Sequence, residues 1–241
     1  MRLYITAAAF LFLVTPWLQA ETIHVVTEQT PYTGVRDGKV VGAATKVVEL
    51  TLNRAELKDY RINLYPWARA YDMAMHQPNV LIFLIARTPE REALFKWTGE
   101  VTNVQYHLYK LKSRTDIQPK DVQDARRYNI GVLRNDVRHQ YLTSQGFTRL
   151  VVSATSRDNF HKLLNNQIQL VPMTDGDAAA ECEQSRFDCS QLEKLLTLDR
   201  MNAPLYIAYS LQTPDETVER TRKAFLQLKA EGVVDKILGT H

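Results

Sequence analysis

Apolar positions along this chain fall into two kinds of segment that alternate: short β-branched runs, and longer stretches with apolar residues three and four apart. Residues 22–27 (Thr-Ile-His-Val-Val-Thr) predict a strand. Residues 32–42 predict a loop or hairpin turned at Asp37-Gly38. Thr45 is placed to cap a helix carrying Val47, Val48, Leu52 and Ala55. Residues 61–65 predict a second strand, stopped by Pro66, and Trp67, Ala70, Tyr71 and Ala74 then form one helical stripe. Residues 80–86 are apolar throughout, as expected of a strand covered on both faces.

The pattern then restarts. Residues 104–111 predict one long strand and residues 129–133 a buried one. A helix bearing Val137, Tyr141 and Leu142 runs to about Gly146, and residues 150–152 follow as a strand. A helix on Phe160, Leu163 and Leu164 leads to a strand at 169–173. Residues 205–211 predict the last strand, and Pro214 opens a helix with Val218, Thr221, Phe225 and Leu228 on one face and Gly232 at its end. Strands alternating with helices of this length predict an α/β fold with largely parallel sheets. Two such series predict two lobes, and the cleft between lobes is a default ligand site.

The first twenty residues change the picture. Met1-Arg2 is a short cationic start, residues 7–14 are uninterruptedly apolar, Pro16 breaks the run, and Leu18-Gln19-Ala20 offers a small residue before Glu21. This is the layout of a cleaved secretory signal at residues 1–20, with an apolar run too short to span a bilayer. Export to the periplasm is expected, leaving 221 of the 241 residues. The formal charge of +3, or +2 without Arg2, gives no electrostatic case for nucleic acid as a partner. In an exported chain, Cys182 and Cys189 are expected to form a disulfide; neither has a histidine within a few residues, so a zinc site is poorly supported.

Catalytic and metal motifs are sparse. No nucleophile elbow, zinc-protease helix or calcium loop is present. The stretch from Gly34 to Lys39 has the flavour of a phosphate loop, but its spacing is one residue short and Val40 stands where a hydroxyl is needed. The six histidines are scattered. No catalytic residue, cofactor or metal is expected, and the sparsity of such motifs weakens an enzyme reading without eliminating it.

Several segments, in order, resemble the class II periplasmic solute-binding proteins of extracellular family 3, which include polar amino-acid binders. They are Glu28-Gln29-Thr30-Pro31-Tyr32 with Asp37-Gly38-Lys39-Val40-Val41-Gly42; Pro66-Trp67-Ala68-Arg69-Ala70; Thr88-Pro89-Glu90-Arg91 with Phe95; Ile130-Gly131-Val132-Leu133; and residues 205–210 with Pro214 and the final helix. The resemblance implies a two-lobed fold with two mostly parallel sheets, flanking helices and a two-strand hinge at 104–111 and 203–209. Lobe one would hold residues 21–107 and 206–241, and lobe two residues 108–205. It implies a monomer that takes a small polar, carboxylate-bearing solute and presents it to an inner-membrane ABC permease or a sensor domain.

The resemblance also implies a ligand site. Arg91 matches an arginine that grips a carboxylate, a task suited to the bidentate guanidinium fork; a surface arginine is its competing role. Tyr32 and Trp67 match aromatic positions around the ligand body, although Trp67 also lies on a core stripe. Asp175 matches a carboxylate that binds an ammonium, or else it is the cap of a helix over 177–183. Arg69, Thr88, Arg134 and Asn135 complete the expected ligand-binding set. Two departures stand out: Ala86 replaces a hydroxyl residue, and Asn135-Asp136, preceded by Arg134, replaces Gly-Thr. Two further roles stay open: a dehydratase-like enzyme on the same fold, which would need a proton-transfer group in the cleft near Glu28 or His107, and a ligand-free interaction protein.

Overall fold

The computed structural model describes residues 22–201 and 203–239. The expected signal at residues 1–20 lies outside the described residues. Five strands form the larger sheet: β1 (Ile23–Thr27), β4 (Tyr60–Leu64), β5 (Val80–Ala86), β6 (Phe95–Val104) and β12 (Ala203–Ser210), in the order β4-β1-β5-β12-β6. β4, β1 and β5 run parallel, β12 is antiparallel to both its neighbours β5 and β6, and β6 at the edge therefore runs in the direction of β5. A short hairpin, β2 (Gly34–Arg36) and β3 (Lys39–Val41), turns at Asp37-Gly38 as its sequence predicts.

Helices cover both faces of this sheet, so its strands carry apolar residues on both sides. Val25 packs with Val47, Val48 and Leu52 of α1 (Ala43–Arg54) and with Phe225 of α6 (Asp215–Ala230), while the next residue, Val26, packs with Trp67, Ala70 and Tyr71 of α2 (Trp67–His76). The alternation slips once. Phe83 and Leu84 both join the first cluster, because Leu84 is a bulge residue with φ 59°, left over between the pairs Phe83–Ile207 and Ile85–Tyr206. Gly99 in β6 is required by packing: a Cβ there would sit 2.1 Å from the ring of the buried Phe225.

The second body is built on β7 (His107–Leu111), flanked by β10 (Val171–Met173) and β11 (Leu192–Thr197), all antiparallel, where largely parallel sheets were expected. β8 (Ile130–Leu133) and β9 (Leu150–Ser153) form a parallel pair joined to the β10 side by Gly131 N–H donating to Leu170 O at 2.9 Å. Helices α3 (Val137–Ser144), α4 (Ser156–Leu164) and α5 (Asp175–Gln184) follow β8, β9 and β10, and α7 (Val233–Leu238) follows α6 after the left-handed Gly232. Cys182 and Cys189 are disulfide-bonded.

Three local expectations need correction. The stretch 104–111 is not one strand: β6 begins at Phe95 and ends at Val104, and Gln105-Tyr106 carry the chain across to β7 at His107. Thr45 does not cap α1; Gly42 does, with φ 130° and no space for a side chain against Tyr32 O, and Thr45 is buried inside the helix. Asp175 is not a cap either, since Thr174 and Asp177 form a reciprocal capping box and Asp175 is the first helical residue.

Candidate functional site

Groups from both sheets meet over a narrow cleft of about 50 Å³. The larger sheet supplies Glu28 and Tyr32 after β1, Trp67 at the start of α2, Leu84 from the bulge, and Arg91 from a 3₁₀ turn over Pro89–Leu94. The second body supplies Asp136 and Arg138 at the start of α3, with Thr174 and Asp177 at the start of α5. Tyr106, on the crossing segment, lies between them. Residues that follow strands and open helices thus converge on one line, the place where open α/β sheets bind ligands.

Arg91 is the most enclosed charge, 1% exposed. Its guanidinium donates to Ala86 O at 3.3 Å, Gln140 Oε1 at 3.1 Å and Asn135 O at 3.1 Å, and lies over the rings of Trp67 and Tyr71. Burial pulls it below the usual arginine value, opposed by Tyr71 and Asp136. Trp67 Nε1–H donates to the same Asn135 carbonyl at 3.0 Å. Asn135 can aim its carbonyl there because it adopts φ 59°, a conformation asparagine tolerates better than most residues. Two side chains of the larger sheet are therefore fastened to one backbone oxygen of the second body.

Arg138 and Asp136 form a buried pair, with Nε donating to Oδ1 at 2.5 Å, and Arg138 also donates to Pro172 O at 3.3 Å. Burial opposes ionisation of Asp136, but Arg138 outweighs it and holds the carboxyl below its ordinary value. Glu28 is different. Burial pushes its carboxyl up to about 8, with Asp136 and Asp177 adding to the rise and Arg138 only partly offsetting it. Tyr106 is pushed up by the same enclosure.

The expected ligand residues separate into two groups. Tyr32, Trp67 and Arg91 line the cleft, and Asn135 reaches it through its backbone carbonyl. Arg69, Thr88, Arg134 and Asp175 do not line it. Arg69 is exposed over the Tyr65 ring at 4.3 Å, Thr88 accepts the Arg91 N–H through its carbonyl at 3.0 Å, and Arg134 is exposed. Asp175 turns outward, accepting from Tyr109 Oη and from Lys194 Nζ at 2.8 Å, and Lys194 and Tyr109 hold it below its ordinary value. The acidic residue of α5 that does reach the cleft is Asp177. Arg138 and Tyr106 were not expected as cleft residues, and Asp136 was expected there only as a departure from the family's Gly-Thr; the one local signal was an Asp-x-Arg pair at a helix start, which reads equally well as a cap.

No protein-family model and no curated protein matches the sequence. Solved structures do match its fold. A histidine kinase sensor domain with similarity to periplasmic binding proteins superposes with a TM-score of 0.79 at 17% identity, covering 90% of this chain and 94% of that one. An ancestral arginine-binding protein bound to arginine gives 0.76 at 16% identity, over 90% and 96%. An amino-acid ABC transporter substrate-binding protein from Streptococcus pneumoniae, bound to L-arginine, gives 0.75 at 16%, over 90% and 92%. This chain has the two-lobed α/β fold of the periplasmic binding proteins, and the Arg91–Asp136 cleft lies between its lobes.

Proposed function

We propose that this chain is an exported solute-binding protein of the extracellular family 3 type, which captures a small polar, carboxylate-bearing solute between its lobes for uptake or sensing. The lobes would be residues 21–107 with 206–241, and 108–205. The observation that carries the reading is the buried fork of Arg91, held across the cleft by Asn135 O and Gln140 rather than by a carboxylate of the protein. The solved proteins of similar fold support it, since their names describe amino-acid binding or sensing.

Ligand pockets ordinarily measure about 300–1,000 Å³, so a cleft of about 50 Å³ admits a solute only if the lobes part. Parting breaks the bonds from Arg91 and Trp67 to Asn135 and from Arg91 to Gln140, freeing the fork for a carboxylate, which accepts bidentately and more strongly than a carbonyl. Tyr32 and Trp67 would flank the ligand body. An ABC permease or a sensor would then read the closed form.

Calorimetry on residues 21–241 with amino acids, simple carboxylates and amines tests this. A carboxylate-bearing solute should bind the wild type and lose at least about tenfold in affinity in a folded Arg91→Ala variant, with Arg91→Lys between them. Unchanged affinity in Arg91→Ala would remove Arg91 from the site, and failure of every compound would remove the solute-binding reading. Glu28 in the cleft keeps a dehydratase-like alternative in play, because it is a proton-transfer group of the kind that reaction needs. Against it, Asp136 is paired with Arg138, and Asp177 is engaged in a helix cap through Oδ2.

A further inference from the structure

Glu28 stands among the contacts that hold the two bodies together. Arg91 and Trp67 of the larger-sheet body are bonded to Asn135 O of the second body at 3.1 and 3.0 Å. The residue next to Glu28, Gln29, donates from Nε2 to Gln184 Oε1 of α5 at 3.2 Å. Pro31 packs against the start of the same helix, where a Cβ on Gly176 would lie 3.5 Å from Pro31 Cγ. Glu28 itself lines both the inner cleft and a roomier chamber of about 350 Å³ that Gln29 and Gln184 also line. Parting the lobes breaks these contacts and opens both spaces to water.

What the second body sets around Glu28 is mostly acidic. α3 brings Asp136 with Arg138, and α5 brings Asp177, with Glu181 one turn further along. Arg138 gives Nε to Asp136 and a terminal nitrogen to Pro172 O at 3.3 Å, so this cation is already committed. Arg157 of α4 is exposed and turns onto Gln184. Arg91, on the same body as Glu28, donates to the oxygens of Ala86, Asn135 and Gln140. Tyr106, on the crossing segment, is held in its neutral form by burial. In this closed arrangement burial pushes the Glu28 carboxyl up to about 8, with Arg138 opposing the rise and Asp136 and Asp177 adding to it. Both acids belong to the opposite body. Parting the lobes therefore removes them and restores water, and the carboxyl returns toward its ordinary value.

We propose that closing the cleft takes up a proton at Glu28, so that acid favours the closed form, and with it retention of a solute, while alkali favours the open form. The proposal rests on the solute-binding reading for the parting of the lobes, and its test needs no solute. Between 4.5 and about 8 the closed form holds a proton that the open form has released. Across that window the ratio of closed to open molecules falls as pH rises, by at most about tenfold per pH unit for a single proton.

Small-angle scattering on unliganded residues 21–241, taken from pH 5 to 9 at constant ionic strength, reads this ratio as a radius of gyration. Circular dichroism at each pH shows that the chain stays folded. The wild type should be compact at pH 5 and expand as pH rises, whereas Glu28→Gln should keep the compact radius throughout. Glu28→Ala, which also lacks the carboxyl, should be equally insensitive to pH. His107 and His139, the latter accepting the Asn135 N–H at 3.4 Å, are present in all three proteins, so an expansion driven by either would appear in all three. A wild-type radius that does not change with pH would overturn the proposal, and so would the same expansion in the folded variants. Either result leaves the solute-binding reading standing. Failure of every compound in the calorimetric screen, with the pH-dependent expansion intact, would remove the solute and leave the proton-linked closure.

Discussion

Glu28→Gln isolates the most perturbed carboxyl in the cleft. In the folded chain its carboxyl titrates near 8, against an ordinary value of 4.5. Between those values the folded state keeps a proton that the unfolded state has released. Stability therefore falls as pH rises through this window, and below it the group costs nothing. One proton difference is worth about 1.4 kcal/mol per pH unit, so the full window would cost about 5 kcal/mol by pH 8. Glu28 is only half-buried, and solvent screening cuts this to about 2 kcal/mol, or about 4–8 °C in thermal midpoint for a chain of this size. Glutamine keeps the shape and cannot titrate. Midpoints of both proteins, measured from pH 4.5 to 8.5 at constant ionic strength, should separate progressively, the wild type falling behind the variant as pH rises. Groups remote from Glu28 titrate equally in the two proteins, and Arg138 holds the neighbouring Asp136 carboxyl below its ordinary value, so the difference between the curves reports chiefly Glu28. Parallel curves would refute an enclosed, proton-holding Glu28.

Reduction of Cys182–Cys189, which are seven positions apart, should lower stability by about 2–3 kcal/mol, read by denaturant melts with and without reductant; two thiols that alkylate freely without reductant would contradict the bond. Gly99→Ala places a methyl against Phe225 and should cost about 1–3 kcal/mol with the secondary structure retained, checked by circular dichroism melts. Trp67→Phe removes one of the two donors to Asn135 O and should favour the open form, seen by small-angle scattering as a larger radius of gyration than that of the unliganded wild type; an unchanged radius would show that this bond does not hold the lobes together.

The helices were legible because each buries a single stripe: the 67, 70, 71, 74 set and the 218, 221, 225, 228 set are all buried. β5 was legible for the opposite reason, having no polar residue at all. β6 escaped notice because Lys96, Gly99 and Glu100 interrupt its apolar pattern, and Gly99 makes sense only once Phe225 lies across it. The bulge at Leu84 has no local signal, since a leucine with positive φ is imposed by the β12 register rather than by its own preference. Within the cleft, resemblance found the residues of one lobe, Tyr32, Trp67 and Arg91, and failed on the acidic residues of the other. Both α3 and α5 start with a polar residue followed by acids or bases, and local sequence does not say which carboxylate caps, which pairs and which faces outward. Asp136 does two of these jobs at once, capping α3 through the Arg138 N–H and pairing with the Arg138 side chain.

The same cleft suggests why closure should respond to a solute at all. Burying a guanidinium is expensive unless its nitrogens find acceptors, and each of the three Arg91 nitrogens donates to a neutral oxygen, two of them across the cleft. Water would serve these donors about as well once the lobes part, so the bonds to Asn135 and Gln140 favour closure only weakly. A charged oxygen pair is a stronger acceptor than a carbonyl and an amide, and it gains further from exclusion of water. A solute bearing such a group therefore binds the closed arrangement better than the open one, and that difference in affinity is what shifts a two-state equilibrium. On this argument the neutral acceptors around Arg91 are a functional feature: replacing Gln140 by a glutamate would supply the protein's own carboxylate, closing the cleft more firmly and weakening solute binding together.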